Sequence, residues 1–286
     1  MTTLEGKICI VTGSNSGIGK ETALSLAQKG ATIVMALRSL DRGEAAEAEI
    51  GAHCLNPRTE CMPLDLLSID SIRSFVMEFT DRYDRLDVLI NNAGAAFHRR
   101  EISVDGFEKT FAVNFIGPFL LTYELLPLLK KSTPSRIINL TSGLHFSGQI
   151  NLDDLQYERG YNGMQAYRNT KLMILLYTYE LARRLEGTGV TANAVQPGFV
   201  ATNLMTNMGA LRYRLMDKLV RRFQITPKEG AETSVFAASS PDLVEVSGKY
   251  FDKNEVAQSS EVSYNQDLQK HLWKAASELL GLTEDE

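Results

Sequence analysis

Short runs of apolar, often β-branched residues alternate along this chain with longer stretches whose apolar positions recur every three to four residues. Residues 7–12, 32–36, 60–64, 86–91, 135–140, 190–195 and 248–251 predict strands. Residues 20–29, 69–82, 107–130 and 167–185 carry the longer period of helices that bury one face. Such alternation requires right-handed crossovers, and hence a parallel sheet covered on both sides. The pattern therefore predicts an α/β fold: a doubly wound, Rossmann-type sheet of about seven parallel strands with helices on both faces. No internal repeat, low-complexity linker or Pro/Gly-rich boundary interrupts it. Residues 1–286 read as one domain, with a core over 6–251 and a C-terminal extension over 252–286.

Composition narrows the choice of partner. The 286 residues suffice for a full α/β core without a second domain. Against 35 Asp+Glu stand 30 Lys+Arg with no long run of one sign, which argues against a nucleic-acid partner. The first seven residues lack the regions of a signal peptide, and no apolar run approaches the length that spans a bilayer. Cys9, Cys54 and Cys61 are odd in number and form no CxxC pair, so free thiols in a reducing, cytoplasmic setting are expected. His53, His98, His145 and His271 are scattered without metal-ligand spacing, and no metal site is expected.

Between the first strand and the first helix stands Thr12-Gly13-Ser14-Asn15-Ser16-Gly17-Ile18-Gly19. Glycines there would let the backbone approach a pyrophosphate, and the helix N-terminus would supply free N–H groups. A glycine cluster can also be no more than a tight turn; its place after the first strand favours the nucleotide. A serine hydrolase would need its nucleophile in the G-x-S-x-G elbow, where Asn15 stands between Gly13 and Gly17. That chemistry is excluded. An NAD site usually offers a carboxylate at the end of the second strand. Here Met35, Ala36 and Leu37 are uncharged and Arg38 follows. A guanidinium can grip a 2′-phosphate that a carboxylate would repel, so NADP is favoured; the plainer reading is a solvated surface arginine.

Tyr167 and Lys171 are i and i+4 on one predicted helical face. The pair gains weight from the order in which other motifs occur: the phosphate turn, Asn91-Asn92-Ala93-Gly94, Asn114, Thr141-Ser142, then Tyr167 and Lys171, then Pro197-Gly198. On these motifs the chain resembles the short-chain dehydrogenase/reductase family from about Gly6 to Phe251. Within it the retinol dehydrogenase-like branch is the most similar, through Ala36-Leu37-Arg38, Ser142-x-x-His145, Lys171-Leu172 and residues 180–185 and 248–273.

The resemblance implies hydride transfer between NADP(H) and a carbonyl or alcohol, with a lipophilic, retinal-like or other aldehyde or ketone as substrate. It implies a tetrad of Asn114, Ser142, Tyr167 and Lys171. Tyr167 would trade a proton with the substrate oxygen, and Ser142 would hydrogen-bond that oxygen. Lys171 would favour the phenolate and hold the ribose hydroxyls, and Asn114 would hold a water. Cofactor contacts carried over in the same way are Gly13 to Gly19, Arg38, Asp65, Leu66, Asn91, Ala93, Gly94, Tyr167, Lys171, Pro197, Gly198, Val200 and Thr202. Each has a plainer reading: Asn114 satisfying backbone at a kink, Ser142 ending a strand, Lys171 solvated, Asp65 capping a helix, His145 exposed on a loop. Two rivals stay open, an NADP-sensing or scaffold protein without turnover and another redox enzyme on the same scaffold.

Residues 149–163 are expected to line the substrate pocket. Residues 203–226 are expected to form a basic amphipathic lid, with Leu211, Leu215, Leu219 and Phe223 as its apolar stripe and weak contact with a membrane surface. The helices over 107–130 and 167–185 are candidate faces for a homodimer or homotetramer.

Overall fold

The central strands of the sheet are apolar on both faces, and the two sets of side chains go to different layers of helix. The computed structural model describes residues 3–54, 56–200 and 224–283. Strands β1 (Ile8–Thr12), β2 (Thr32–Leu37), β3 (Arg58–Pro63), β4 (Val88–Asn91), β5 (Ser135–Leu140), β6 (Val190–Gln196) and β7 (Tyr250–Asp252) run parallel, and β8 (Glu255–Ala257) runs antiparallel to β7. The order is β3-β2-β1-β4-β5-β6-β7-β8. The expected parallel strands are all present. The eighth is added by a tight hairpin whose Lys253 and Asn254 both have positive φ, 50° and 66°.

The helices are α1 (Gly17–Gln28), α2 (Leu40–Ala52), α3 (Ile69–Arg82), α4 (Lys109–Lys131), α5 (Gly163–Arg184), α6 (Pro227–Ser239) and α7 (Gln266–Leu280). Cys9 and Val11 of β1 pack with α1, α2 and α6, while Ile10 between them faces α3, α4, α5 and α7. This is the two-residue period of a strand buried on both sides. Chain order reverses between β1 and β4, so a crevice opens at their carboxyl ends.

Helix α4 is long and apolar enough to cross a membrane, which the reading by apolar runs did not register. Its apolar stretch lies mostly inside the protein, where Phe111, Phe115 and Phe119 line the core. The core also continues past residue 251. On α7, Trp273 meets Phe119 at 4.8 Å and stacks on Tyr177 at 5.7 Å, with the Arg184 guanidinium 4.4 Å from its ring. Helix α5 thus carries the chain's own C-terminal helix on this face. Buried Glu180 pairs with Arg183 and Arg184, and Arg183 donates to Gln269 of α7, tying the same two helices together.

Candidate active site

Backbone conformation and close approach explain the glycines of the turn after β1. Gly13 (φ 65°) and Gly17 (φ 57°) occupy the left-handed region. A Cβ on Gly19 would stand 2.4 Å from Asn92 Nδ2 and 2.6 Å from the Gly13 carbonyl. Asn92 Nδ2 donates to the Thr12 carbonyl, and Thr12 Oγ1 accepts from the backbone N–H of both Asn92 and Ala93. These bonds fix the end of β1 to the end of β4. Ser16 caps α1 without a side-chain hydrogen bond, and no acid stands in the helix's first turn. The N-terminus of α1 thus meets the crevice as an uncompensated positive end.

The crevice has a volume of about 840 Å³. Of the expected contacts, Gly13, Asn15, Ser16, Gly17, Ile18, Gly19, Arg38, Asp65, Leu66, Ala93, Gly94, Tyr167, Lys171 and Pro197 line it. Ser14 does not: it is buried and donates to the Val11 carbonyl. Asn91 is also turned into the core, where its Nδ2 donates to Thr122 Oγ1 and Asn139 Oδ1. Its neighbour Asn92 lines the crevice instead. Gly198 (φ 82°) and Val200 lie beyond Pro197, and Val200 bridges to Ile225. Thr202 lies outside the described residues, as does most of the expected lid.

At the β2 end, Arg38 is joined by Arg42 and Ser39, which the sequence reading did not single out. Ser39 caps α2 with its hydroxyl unused by the cap, and Arg42 stands in the first turn of that helix. Asp41 beside it supplies the acid that the helix dipole favours in that turn, while Arg42 lines the crevice. Asp65 is not the cap of α3; Ser68 is, accepting from Ser71 N. The Asp65 carboxylate accepts from Leu67 N at the crevice wall.

The chemistry-bearing groups meet at the other end. Tyr167 and Lys171 are buried on α5, with Lys171 Nζ 5.5 Å from the Tyr167 ring centre. Thr141 Oγ1 donates to the Lys171 carbonyl at 2.7 Å, docking α5 on the end of β5. Asn114 lies in a π-helical turn, Ala112–Ile116, inside α4. Its Nδ2 donates to the Ala95 carbonyl and Thr170 Oγ1, and its Oδ1 accepts from Ala95 N. A Cβ on Gly94 would lie 3.2 Å from that Oδ1 and 3.5 Å from Lys171 Nζ, so the bare glycine lets the two groups share one space. Ser142 caps the 3₁₀ turn Gly143–Ser147, its Oγ accepting from Leu144 N at 3.3 Å, which leaves the hydroxyl hydrogen to be donated.

Burial acts on these groups in opposite senses. It pushes the Tyr167 phenol up, with the Ser142 hydroxyl working against the rise, and it pulls Lys171 down to about 8. The tyrosine is therefore held in its phenol form. His145 is wholly buried, contrary to the reading as an exposed loop residue, and burial lowers its pKa. The loop over 149–163 is anchored through Tyr161, which contacts the Phe97 carbonyl, Glu108 and Thr110, and through Gln149 N donating to Asn169.

The short chain dehydrogenase family matches residues 7–211. Human retinol dehydrogenase 13 is 41% identical over 98% of this chain and 86% of its own length. Mouse retinol dehydrogenase 11 is 43% identical over 99% of this chain and 89% of its own. Among solved structures, an uncharacterized protein from Mycobacterium paratuberculosis aligns with a TM-score of 0.80 and 31% identity, covering 99% of this chain and 96% of that one. An NAD(P)-dependent gluconate 5-dehydrogenase from Beutenbergia cavernae with bound NADP aligns with a TM-score of 0.71 and 26% identity, covering 88% and 96%.

Proposed function

The chain belongs to the short-chain dehydrogenase family and is an oxidoreductase acting on alcohol or carbonyl groups, and from that premise we propose that it is an NADPH-dependent reductase of lipophilic aldehydes or ketones. The observation that carries the reading is the pairing of two ends of one crevice, Tyr167 with Lys171 at one and Arg38 with Arg42 at the other.

The residues present fit a nicotinamide dinucleotide. Glycines at 13, 17 and 19 allow a pyrophosphate to lie against the α1 N-terminus. Arg38, Arg42 and the Ser39 hydroxyl would hold a 2′-phosphate, and the crevice wall after β2 is lined by these three rather than by a carboxylate. Lys171 would reach the ribose hydroxyls. When bound, the cofactor supplies the hydride at its nicotinamide ring.

The chain's own part is proton delivery and charge stabilisation. Ser142 donates its hydroxyl hydrogen to the substrate carbonyl and polarises it. Tyr167, held as a phenol by burial, protonates the same oxygen as it gains charge. Lys171, protonated below about pH 8, stabilises the phenolate left behind. Asn114, in the π turn beside Lys171, would hold a water connecting Lys171 to solvent, and that water would resupply the tyrosine's proton.

Two facts support a lipophilic substrate. The similar curated proteins are retinol dehydrogenases. Leu144 and Phe146 follow Ser142, Phe199 follows Pro197-Gly198, and all three apolar side chains are exposed. A reducing, cytoplasmic setting suits the three free cysteines. The test is NADPH oxidation followed against aldehydes and ketones of graded chain length, retinal included. Efficiency should rise with chain length; a preference for short polar carbonyls, or no turnover with any carbonyl, refutes the reading.

A further inference from the structure

The Ser142 carbonyl accepts twice from one residue, from His145 N at 3.0 Å and from His145 Nδ1 at 2.7 Å. A carbonyl can only accept, so Nδ1 carries the ring proton and Nε2 is bare. Nε2 in turn accepts from the backbone N–H of Ser260, 3.2 Å away. Both ring nitrogens are thus satisfied by main chain, one at the site and one in the C-terminal extension. The ring is held in plane as well, with Phe146 4.1 Å away and Tyr250 edge-on at 5.2 Å.

The far anchor is itself fixed. Tyr179 of α5 bonds Ser259 Oγ, Ser259 bonds Ser263, and Gln269 of α7 donates to the Ser263 carbonyl. The near end governs a catalytic torsion. The Ser142 carbonyl belongs to the peptide that joins Ser142 to Gly143, so holding it fixes ψ of Ser142, 150°. The Ser142 hydroxyl is aimed from that backbone. Misplacing a reacting group by about 1 Å costs about 10²-fold in rate, so a fixed peptide plane is worth having.

We propose that His145 is the positioning residue for Ser142, a rigid strut that braces the Ser142–Gly143 peptide against the backbone of Ser260. The inference rests on the reading of Ser142 as the group that meets the substrate oxygen. His145 does not touch the substrate; it acts through the serine it holds, and the Ser260 N–H sets its tautomer, as an outer partner does for a ligating histidine.

Two variants separate the strut from simple packing. His145→Asn places an amide N–H where Nδ1–H stood and can still donate to the Ser142 carbonyl. His145→Gln places an acceptor near Nε2 and loses that donor. Both delete the ring, so both lower Tm. The expected result is a fall in kcat of about tenfold in His145→Gln against about twofold or less in His145→Asn, with KM for the cofactor nearly unchanged in each. On a Ser142→Ala background, His145→Gln should lower kcat no further. Equal losses in the two variants that track Tm would make His145 a packing residue and overturn the proposal. Full turnover in Ser142→Ala alone would instead refute the role of the serine, and this proposal with it. The unaltered protein gives a check that needs no variant to fold: ring ¹⁵N shifts of His145 must report the Nδ1–H tautomer, and an Nε2–H ring overturns the strut.

Discussion

Lys171 Nζ donates a 3.0 Å hydrogen bond to the carbonyl of Leu140, the last residue of β5. The lysine is thus buried at the carboxyl end of a central strand, and burial lowers its pKa from 10.5 to about 8. Between those values the unfolded chain binds more protons than the folded one, so stability rises with pH across that window. Below about pH 8 the penalty for burying the cation is fully present. Lys171→Met should therefore raise the stability of the cofactor-free protein at pH 7 by roughly 2 kcal/mol, an advantage that fades toward pH 10. The same change should abolish turnover. Denaturant midpoints at pH 7 and pH 10 check it, and a destabilised Lys171→Met at pH 7 contradicts it.

Tyr167→Phe keeps the ring against Ala96 and Met164 and removes only the hydroxyl. Turnover should drop by at least about 10²-fold while cofactor binding, read by fluorescence titration, survives. Near-normal turnover would move the proton donor elsewhere.

Arg38 and Arg42 together should give NADPH at least a tenfold preference over NADH, about 1.4 kcal/mol. Because both side chains are exposed and would share one 2′-phosphate, either single Ala variant should keep part of the preference and the double variant lose it. Dissociation constants for the two cofactors decide this. A double variant with undiminished preference defeats the assignment.

Trp273 is the single tryptophan of the chain, so its fluorescence reports the docking of α7 and nothing else. In urea that signal should be lost together with the far-ultraviolet dichroism, because the ring is part of the main core. Trp273→Ala should cost about 3–5 kcal/mol by opening a cavity beside Phe119 and Tyr177. An early, separate fluorescence transition would show α7 to be an appendage.

The parallel strands were legible because each is a bounded apolar run, and Tyr167, Lys171, Ser142 and Asn114 because their types occur in a specific order. What escaped was long-range or locally ambiguous. The burial of His145 depends on Ser260 and Tyr250, both more than a hundred residues away in sequence. Ser14 and Asn91 sit next to crevice-lining residues, and at such places one step of backbone decides between core and crevice. Arg42 was hidden because α2 buries only Gly43, Ala46 and Ile50, too weak a stripe to announce a helix. Strand β8 is three residues long and turns on Lys253-Asn254, a pair without the glycine that usually signals such a hairpin.

Helix α7 and the segment before it are synthesised after all four residues of the tetrad. When a ribosome has released everything through α6, all four of Asn114, Ser142, Tyr167 and Lys171 are already outside, yet Ser260 has not met His145 and Trp273 has not covered Phe119 and Tyr177. The nascent chain at that moment presents an apolar stripe along α4 and α5, the kind of surface that chaperones hold and that drives aggregation. Translation that stops before α7 would thus deliver a chain with all four of these residues and no finished core, which is a substrate for quality control before anything else.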